Sequence, residues 1–261
     1  MTRRIACVFA HPDDDTYGVG GSLALHTGPD LEVTVILTTS GEAGQIADPS
    51  LATRPTLGAV REDEDRRSWA ALGLEPDLRF LRYPDGAVAD VPREDLVAAY
   101  VEILLEVRPD VLVTFGPDGI TGHADHVAVG AAATDAFHVA REQTGGGFHR
   151  LLYNALSQTR LEALNEMLRA GGLEILDPTQ LFTPRGVPDD AIDVSVDCSA
   201  TFERKVEALR CHRTQGEMEG VPYELWPAVL GREDFRIAWP EPDQRMPRRR
   251  LRSVFEGLRS S

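Results

Sequence analysis

Short apolar runs alternate with longer amphipathic stretches over the first two-thirds of the chain. Residues 5–10, 33–39, 78–83, 111–115 and 151–155 are rich in strand formers, and the first four stop at turn residues: Pro12, Ser40-Gly41, Pro84-Asp85-Gly86 and Gly116-Pro117. Between them, residues 93–108 carry Val97, Tyr100, Val101 and Leu104 at three- and four-residue spacing, which predicts a helix. Residues 61–72 pair Glu62 with Arg66 and Asp63 with Arg67 at i,i+4 and stop at Gly73, which predicts another. Strands that are apolar throughout, alternating with helices, belong to a sheet covered on both faces. The pattern therefore predicts an α/β fold with a doubly wound, mostly parallel, Rossmann-like sheet.

The pattern weakens after residue 156. A helix is expected over 161–168, ended by Gly171-Gly172, then a strand over 192–196 and a helix over 200–212. From Trp239 the chain is rich in Pro and Arg, and Arg248-Arg249-Arg250 reads as an anion-binding arm or a solvated tail. With no internal repeat or linker, one domain is expected: a core over 1–156, its completion over 157–238 and an irregular extension over 239–261.

Charge narrows the partners. In 261 residues, 27 Lys and Arg stand against 42 Asp and Glu, a net charge of -15, which argues against sequence-nonspecific binding to nucleic acid or an anionic membrane. No apolar run approaches the roughly 20 residues of a membrane span. Cys7, Cys198 and Cys211 are isolated, which suggests a reducing compartment, and residues 1–15 lack a signal-peptide pattern. The expectation is a cytoplasmic protein with a small-molecule ligand, and a homo-oligomer is compatible with it.

The chemistry gathers at two expected strand ends. The first strand runs into His11-Pro12-Asp13-Asp14-Asp15, and the fourth leads into Gly119 and then Thr121-Gly122-His123-Ala124-Asp125-His126. Alone, each admits a plain reading: the three aspartates cap the next helix, near 16–25, and Asp125 caps the helix that follows. Together they flank the switch point of a doubly wound sheet, where ligands bind. Two histidines and a carboxylate form a common catalytic zinc set with an open position, and His11, Asp14 and His126 are assigned to it. Iron(II) suits the same ligands. Asp13 is then placed as general base, and His123 as oxyanion stabiliser and acid, oriented by Asp125. The reaction class is metal-assisted hydrolysis of an amide. A dinucleotide site at Gly18-x-Gly20-Gly21 is disfavoured by the acidic turn before it, and no Gly-x-Ser-x-Gly elbow occurs.

Ala10-His11-Pro12-Asp13-Asp14 with His123-x-Asp125-His126 resembles the zinc-dependent N-acetylglucosaminyl deacetylases of the PIG-L/LmbE type, a group that includes deacetylases and an S-conjugate amidase of low-molecular-weight thiols. The resemblance implies the same ligands and base. It further implies substrate contacts at Glu42 in the Ser40-Gly41-Glu42 loop, at Arg61 and at Asp85. Lys205, Ala208, Leu209, His212, Thr214 and Gln215 resemble the group's C-terminal signature. Asp15 stands where glutamate is common, Ala124 where proline is, and Thr121 where mycothiol-type deacetylases carry a tyrosine. The expected activity is removal of an N-acetyl group from an N-acetylated amino-sugar glycoside or thiol conjugate. The alternatives are amide cleavage of an S-conjugate and metal or sugar binding without catalysis, for which Asp13 has no use.

Overall fold

Val111–Phe115 is buried at every position, and Arg3–Phe9 at all but its first two, so the two strands have helices on both faces. The computed structural model describes residues 2–145, 147–216, 218, 220–242 and 249–258. Its strands are β1 (Arg3–Phe9), β2 (Leu31–Leu37), β3 (Asp77–Phe80), β4 (Val111–Phe115), β5 (Arg150–Ala155), β6 (Val194–Asp197) and β7 (Arg232–Trp239). They form one sheet in the order β3-β2-β1-β4-β5-β7-β6. The first five are parallel, and β7 runs antiparallel to both β5 and β6. The order reverses between β1 and β4, which puts the switch point where the two motifs end.

The helices are α1 (Gly21–Ala24), entered through a wide turn at Thr16–Gly20, α2 (Leu57–Ala71), α3 (Arg93–Val107), α4 (Gly119–Gly122), α5 (Ala124–Thr144), α6 (Gln158–Ala170), α7 (Phe202–Arg210) and α8 (Trp226–Leu230). Helices α3 and α5 pack together, while α7 lies against α1 and α2. Helix α3 buries Leu96, Tyr100, Ile103 and Leu104, each worth roughly 1.5–3 kcal/mol, and ends on Arg108 in the left-handed region. Val97 and Val101 flank that stripe, partly buried. Gly130 lets α5 close on β4: a Cβ there would lie 2.6 Å from the Phe115 carbonyl oxygen.

Three features depart from the expected pattern. The pattern does not predict β7, because its Glu233 and Asp234 are buried charges that break the alternation. Trp239, where an extension was expected to begin, is the last residue of β7. Beyond it, Leu251 bonds to Asp193 and Ser195, and Val254 and Phe255 are buried, so among the described residues 251–255 is docked and not a solvated tail. Arg249 is ion-paired to Glu256, and Arg248 lies outside the described residues. Among the described residues, no helix is long and apolar enough to cross a membrane.

Candidate metal centre and active site

The turn after β1 closes on itself. The backbone N–H of His11 donates to Asp14 Oδ2 at 2.8 Å, and that of Asp14 to the His11 carbonyl at 3.2 Å. Between them Asp13 sits at φ +133°, a backbone state that non-glycine residues reach at a cost of roughly 1–3 kcal/mol. Arg61 of α2 holds it there, with Nη2 donating to Asp13 Oδ2 at 2.8 Å and to the Pro12 carbonyl at 2.7 Å.

The three consecutive aspartates avoid one another by pointing in three directions. Asp13 meets Arg61. Asp14 meets His11 Nδ1 at 3.2 Å and His126 Nε2 at 3.3 Å. Asp15 turns inward, accepting from Trp69 Nε1 at 2.6 Å and from the Thr16 N–H at 2.9 Å, and burial pushes its carboxyl up to about 6. Next to it, burial and the neighbouring Asp15 push the Asp65 carboxyl well above the usual carboxylate range. Helix capping and a cation-directed carboxylate thus coexist, on adjacent residues.

At the end of β4, His126 stacks on Phe115, with ring centroids 4.1 Å apart. Its Nδ1 donates to the Gly119 carbonyl at 3.0 Å, which leaves a lone pair on Nε2. His11 Nε2 lies 3.0 Å from Asp85 Oδ1 and 3.4 Å from Asp125 Oδ2, so its proton belongs there and Nδ1 faces the opposite way. His126 Nε2 and His11 Nδ1 are 3.2 Å apart. Two ring nitrogens 3.2 Å apart thus face one carboxylate, Oδ2 lying 3.2 Å from His11 and Oδ1 3.3 Å from His126. The edge of a tetrahedron with ~2.0 Å bonds is about 3.3 Å, close to the spacing of the ring nitrogens, so two histidines and a carboxylate here suit a tetrahedral divalent ion. Without one, the arrangement needs a proton in its place. Burial opposes charge on His11, but Asp125, Asp14 and Asp85 together raise its pKa well above the usual value.

His123 joins the same cluster, its ring centroid 4.9 Å from those of both His11 and His126. Nitrogen atoms of the three histidines also lie close enough to hold an ion, as do His11, Asp85 and Asp125. The Asp125 carboxylate departs from its expected place. It accepts from the Gly86 and Val88 N–H groups at 2.8 and 3.1 Å and faces His11, not the His123 ring. His123 is instead set by the Asp125 backbone N–H, which donates to Nδ1 at 3.1 Å and makes His123, not Asp125, the cap of α5.

The residues expected to meet substrate are engaged with the protein. Asp85 Oδ1 faces His11, and Oδ2 accepts from the Ala43 N–H at 2.8 Å. Glu42 accepts from the Asp85 N–H at 2.9 Å. Arg61, 3% exposed, spends its terminal nitrogens on Asp13, Pro12 and Gly41. The C-terminal signature braces the site from behind. His212 Nε2 lies 3.2 Å from Thr16 Oγ1, Thr214 donates twice to Glu64, and Gln215 donates to the Gln45 carbonyl. Lys205 lies away from the metal cluster, bonding Glu233 and the Tyr17 carbonyl. Sequence reasoning passed over Trp69 and Asp65, whose only signal was a helix with acidic residues at too many spacings for one solvated face.

The chain is similar to known proteins over most of its length. Residues 6–137 match the family model described as PIG-L, GlcNAc-PI de-N-acetylase. A 1D-myo-inositol 2-acetamido-2-deoxy-alpha-D-glucopyranoside deacetylase from Thermobifida fusca is 33% identical over 251 residues, covering 85% of this chain and 87% of the relative. The chain belongs to the PIG-L family. The PIG-L match spans both motifs, at His11–Asp14 and at His123–His126. Among solved structures, the N,N'-diacetylchitobiose deacetylase from Pyrococcus horikoshii superposes with a TM-score of 0.60 at 23% identity, covering 90% of this chain and 83% of that one. The 4-carboxy-2-hydroxymuconate hydratase from Pseudomonas putida superposes with a TM-score of 0.62 at 15% identity, covering 94% and 100%. A hydratase and a deacetylase share this fold, so the fold alone does not select the reaction.

Proposed function

We propose that this PIG-L protein is a zinc-dependent N-deacetylase that removes the acetyl group of an N-acetylglucosamine-type glycoside. The observation that carries the reading is the convergence of His11 Nδ1 and His126 Nε2, 3.2 Å apart, on the Asp14 carboxylate. The relatives' named activity supports the substrate class. Zinc in that set would supply Lewis acidity toward the amide carbonyl and lower the pKa of water.

The side chains divide the rest of the work. Asp13, held by Arg61 beside Asp14, takes a proton from the water that attacks the acetyl carbon. His123 has its Nδ1 occupied by a backbone N–H, so the neutral ring carries its proton on Nε2. That proton is donated toward the developing oxyanion and then to the leaving nitrogen as the C–N bond breaks, giving acetate and a free amine. The proton held by Asp13 returns to His123 through solvent. Asp125 and Asp85 act through His11, fixing which nitrogen faces the metal. Glu42 and Asp85 keep carboxylate lone pairs for sugar hydroxyls, and Arg61 acts by positioning Asp13. A cytoplasmic setting is supported by the three unpaired thiols.

The test is metal analysis of the purified protein joined to acetate release from N-acetylglucosamine glycosides. One zinc per chain and metal-dependent acetate release are expected. Turnover undiminished after complete chelation, or no acetate release from a broad glycoside panel by the zinc-loaded protein, would overturn the proposal.

A further inference from the structure

Two tight turns clasp one another beside His11. In the first, Gly41 at φ +67° lets residues 41–44 close, with the Gly44 N–H donating to the Gly41 carbonyl at 3.1 Å. In the second, residues 84–87 close with the Ala87 N–H on the Pro84 carbonyl at 3.2 Å. The clasp is reciprocal. The Ala43 N–H donates to Asp85 Oδ2 at 2.8 Å, and the Asp85 N–H to Glu42 Oε1 at 2.9 Å.

The first turn belongs to no helix or strand, so its shape depends on what grips it. Its base is tied down: Arg61 donates to the Gly41 carbonyl at 2.9 Å, and past the turn the Ala47 N–H donates to the Thr214 carbonyl at 2.8 Å. Its tip is gripped by Arg54, whose Nη1 donates to the Glu42 carbonyl at 2.6 Å and to the Gly44 carbonyl at 2.8 Å. Arg54 is itself set by a capping box at the approach to α2, in which the Thr53 N–H donates to Thr56 Oγ1 at 2.9 Å. Carbonyls two residues apart can share one nitrogen only while the turn stays curled, and that curl presents Glu42 to Asp85. A charged donor makes such bonds stronger than a neutral one would.

We infer that Arg54 is a positioning residue for substrate binding. By gripping the 41–44 turn, it fixes the separation of the Glu42 and Asp85 carboxylates, and with it the fit of sugar hydroxyls against them. The inference rests on the deacetylase reading for the sugar, whereas the grip is a property of the turn. The bonds of Arg54 run to backbone carbonyls of the turn, so its effect belongs to binding and not to the chemical step.

The experiment takes two readouts from the zinc-loaded full chain. The first is KM and kcat for acetate release from the methyl glycoside of N-acetylglucosamine. Arg54→Ala is expected to raise KM roughly tenfold with kcat unchanged, the size of a charge-assisted contact, and Arg54→Lys to recover part of the loss. In a Glu42→Gln background, Arg54→Ala is expected to raise KM little further, because the two residues act through one contact. An unchanged KM in Arg54→Ala, whatever happens to kcat, overturns the inference, and so does full additivity in the double variant. The second readout is amide hydrogen exchange, followed by NMR at Ala43 and Asp85, the donors of the clasp. Arg54→Ala is expected to speed both roughly tenfold while the amides of β1 and β4 keep their protection. Equal exchange in variant and wild type overturns the grip, and so does faster exchange throughout, since Arg54 then only adds stability. If wild type releases no acetate, the deacetylase reading fails, and the exchange readout alone decides whether Arg54 holds the turn.

Discussion

Two groups of buried charge lie on either side of the turn after β1, and they are built on opposite principles. Around Lys205, every partner is inside the protein. Its Nζ bonds Glu233 Oε1 at 2.5 Å and the Tyr17 carbonyl at 2.9 Å, and Glu233 also receives the Gly21 and Ser22 N–H groups at 2.8 and 2.7 Å. The carboxylate is thereby placed at the start of α1, where its charge is favourable. Around Asp14, two ring nitrogens and a carboxylate face one another, and among the described residues no Lys or Arg is ion-paired to Asp14. The first group is complete and holds three elements together. The second is complete only with an ion from outside, which is the physical difference between a structural charge cluster and a binding one.

The largest effects are expected where that difference is erased. Asp14→Ala removes the carboxylate from the incomplete group, so metal content by elemental analysis should fall together with acetate release. Asp13→Asn should keep the metal yet lose roughly two to four orders of magnitude in kcat, the range for a general base. Metal lost equally from both variants would show that the roles of the two aspartates are not separate. Because Arg61 holds Asp13, Arg61→Ala should lower kcat while leaving metal content near that of wild type, measured on the same samples.

The complete group should fail differently. Lys205→Met leaves the Glu233 carboxylate buried without its cation, and breaking such a pair costs about 3–5 kcal/mol. Denaturant unfolding should show that loss, while metal per folded chain stays unchanged. Adding Glu233→Gln should recover only part of it. A glutamine oxygen can still accept one of the Gly21 and Ser22 N–H groups, but its amide nitrogen opposes the other. A Lys205→Met variant that lost metal without losing stability would erase the distinction between the two groups.

The same contrast governs what could be read from the sequence. Purely apolar strands announce themselves, so the parallel half of the sheet and its switch point were legible, and with them the place of the site. His11, Asp14 and His126 were legible because their spacing puts them at two neighbouring strand ends. β7 was not, because Glu233 and Asp234 occupy positions that an alternating strand would fill with apolar residues. Only Lys205 and Arg160, distant in sequence, make those charges tolerable. Helix α2 was found through its surface pairs, and the Glu62–Arg66 and Asp63–Arg67 contacts are present. Its inward face, with Arg61, Glu64 and Asp65, carried no apolar stripe to show which way it turned. The Asp125 carboxylate was assigned to the nearest histidine in sequence, whereas the fold gives it to His11, 114 positions away.

The smallest effect concerns a residue belonging to neither group. His212 is fully buried behind the site; burial first, and then Arg61 and Arg67, lower its pKa to about 3. An unfolded histidine titrates near 6.5, so the folded state binds fewer protons across that window. The stability it contributes is therefore fully present above about 6.5 and is lost as pH falls toward 3, by up to roughly 1.4 kcal/mol per pH unit. His212→Gln should flatten that acid limb, read as denaturant midpoints between pH 6.5 and 4 on metal-free protein, so that loss of metal ligands does not contribute. Thr16 keeps a polar partner in this variant, because a glutamine amide can replace the contact to its Oγ1. An acid limb of unchanged slope would mean that His212 keeps its proton when folded, and that its surroundings are polar enough to hold a charge.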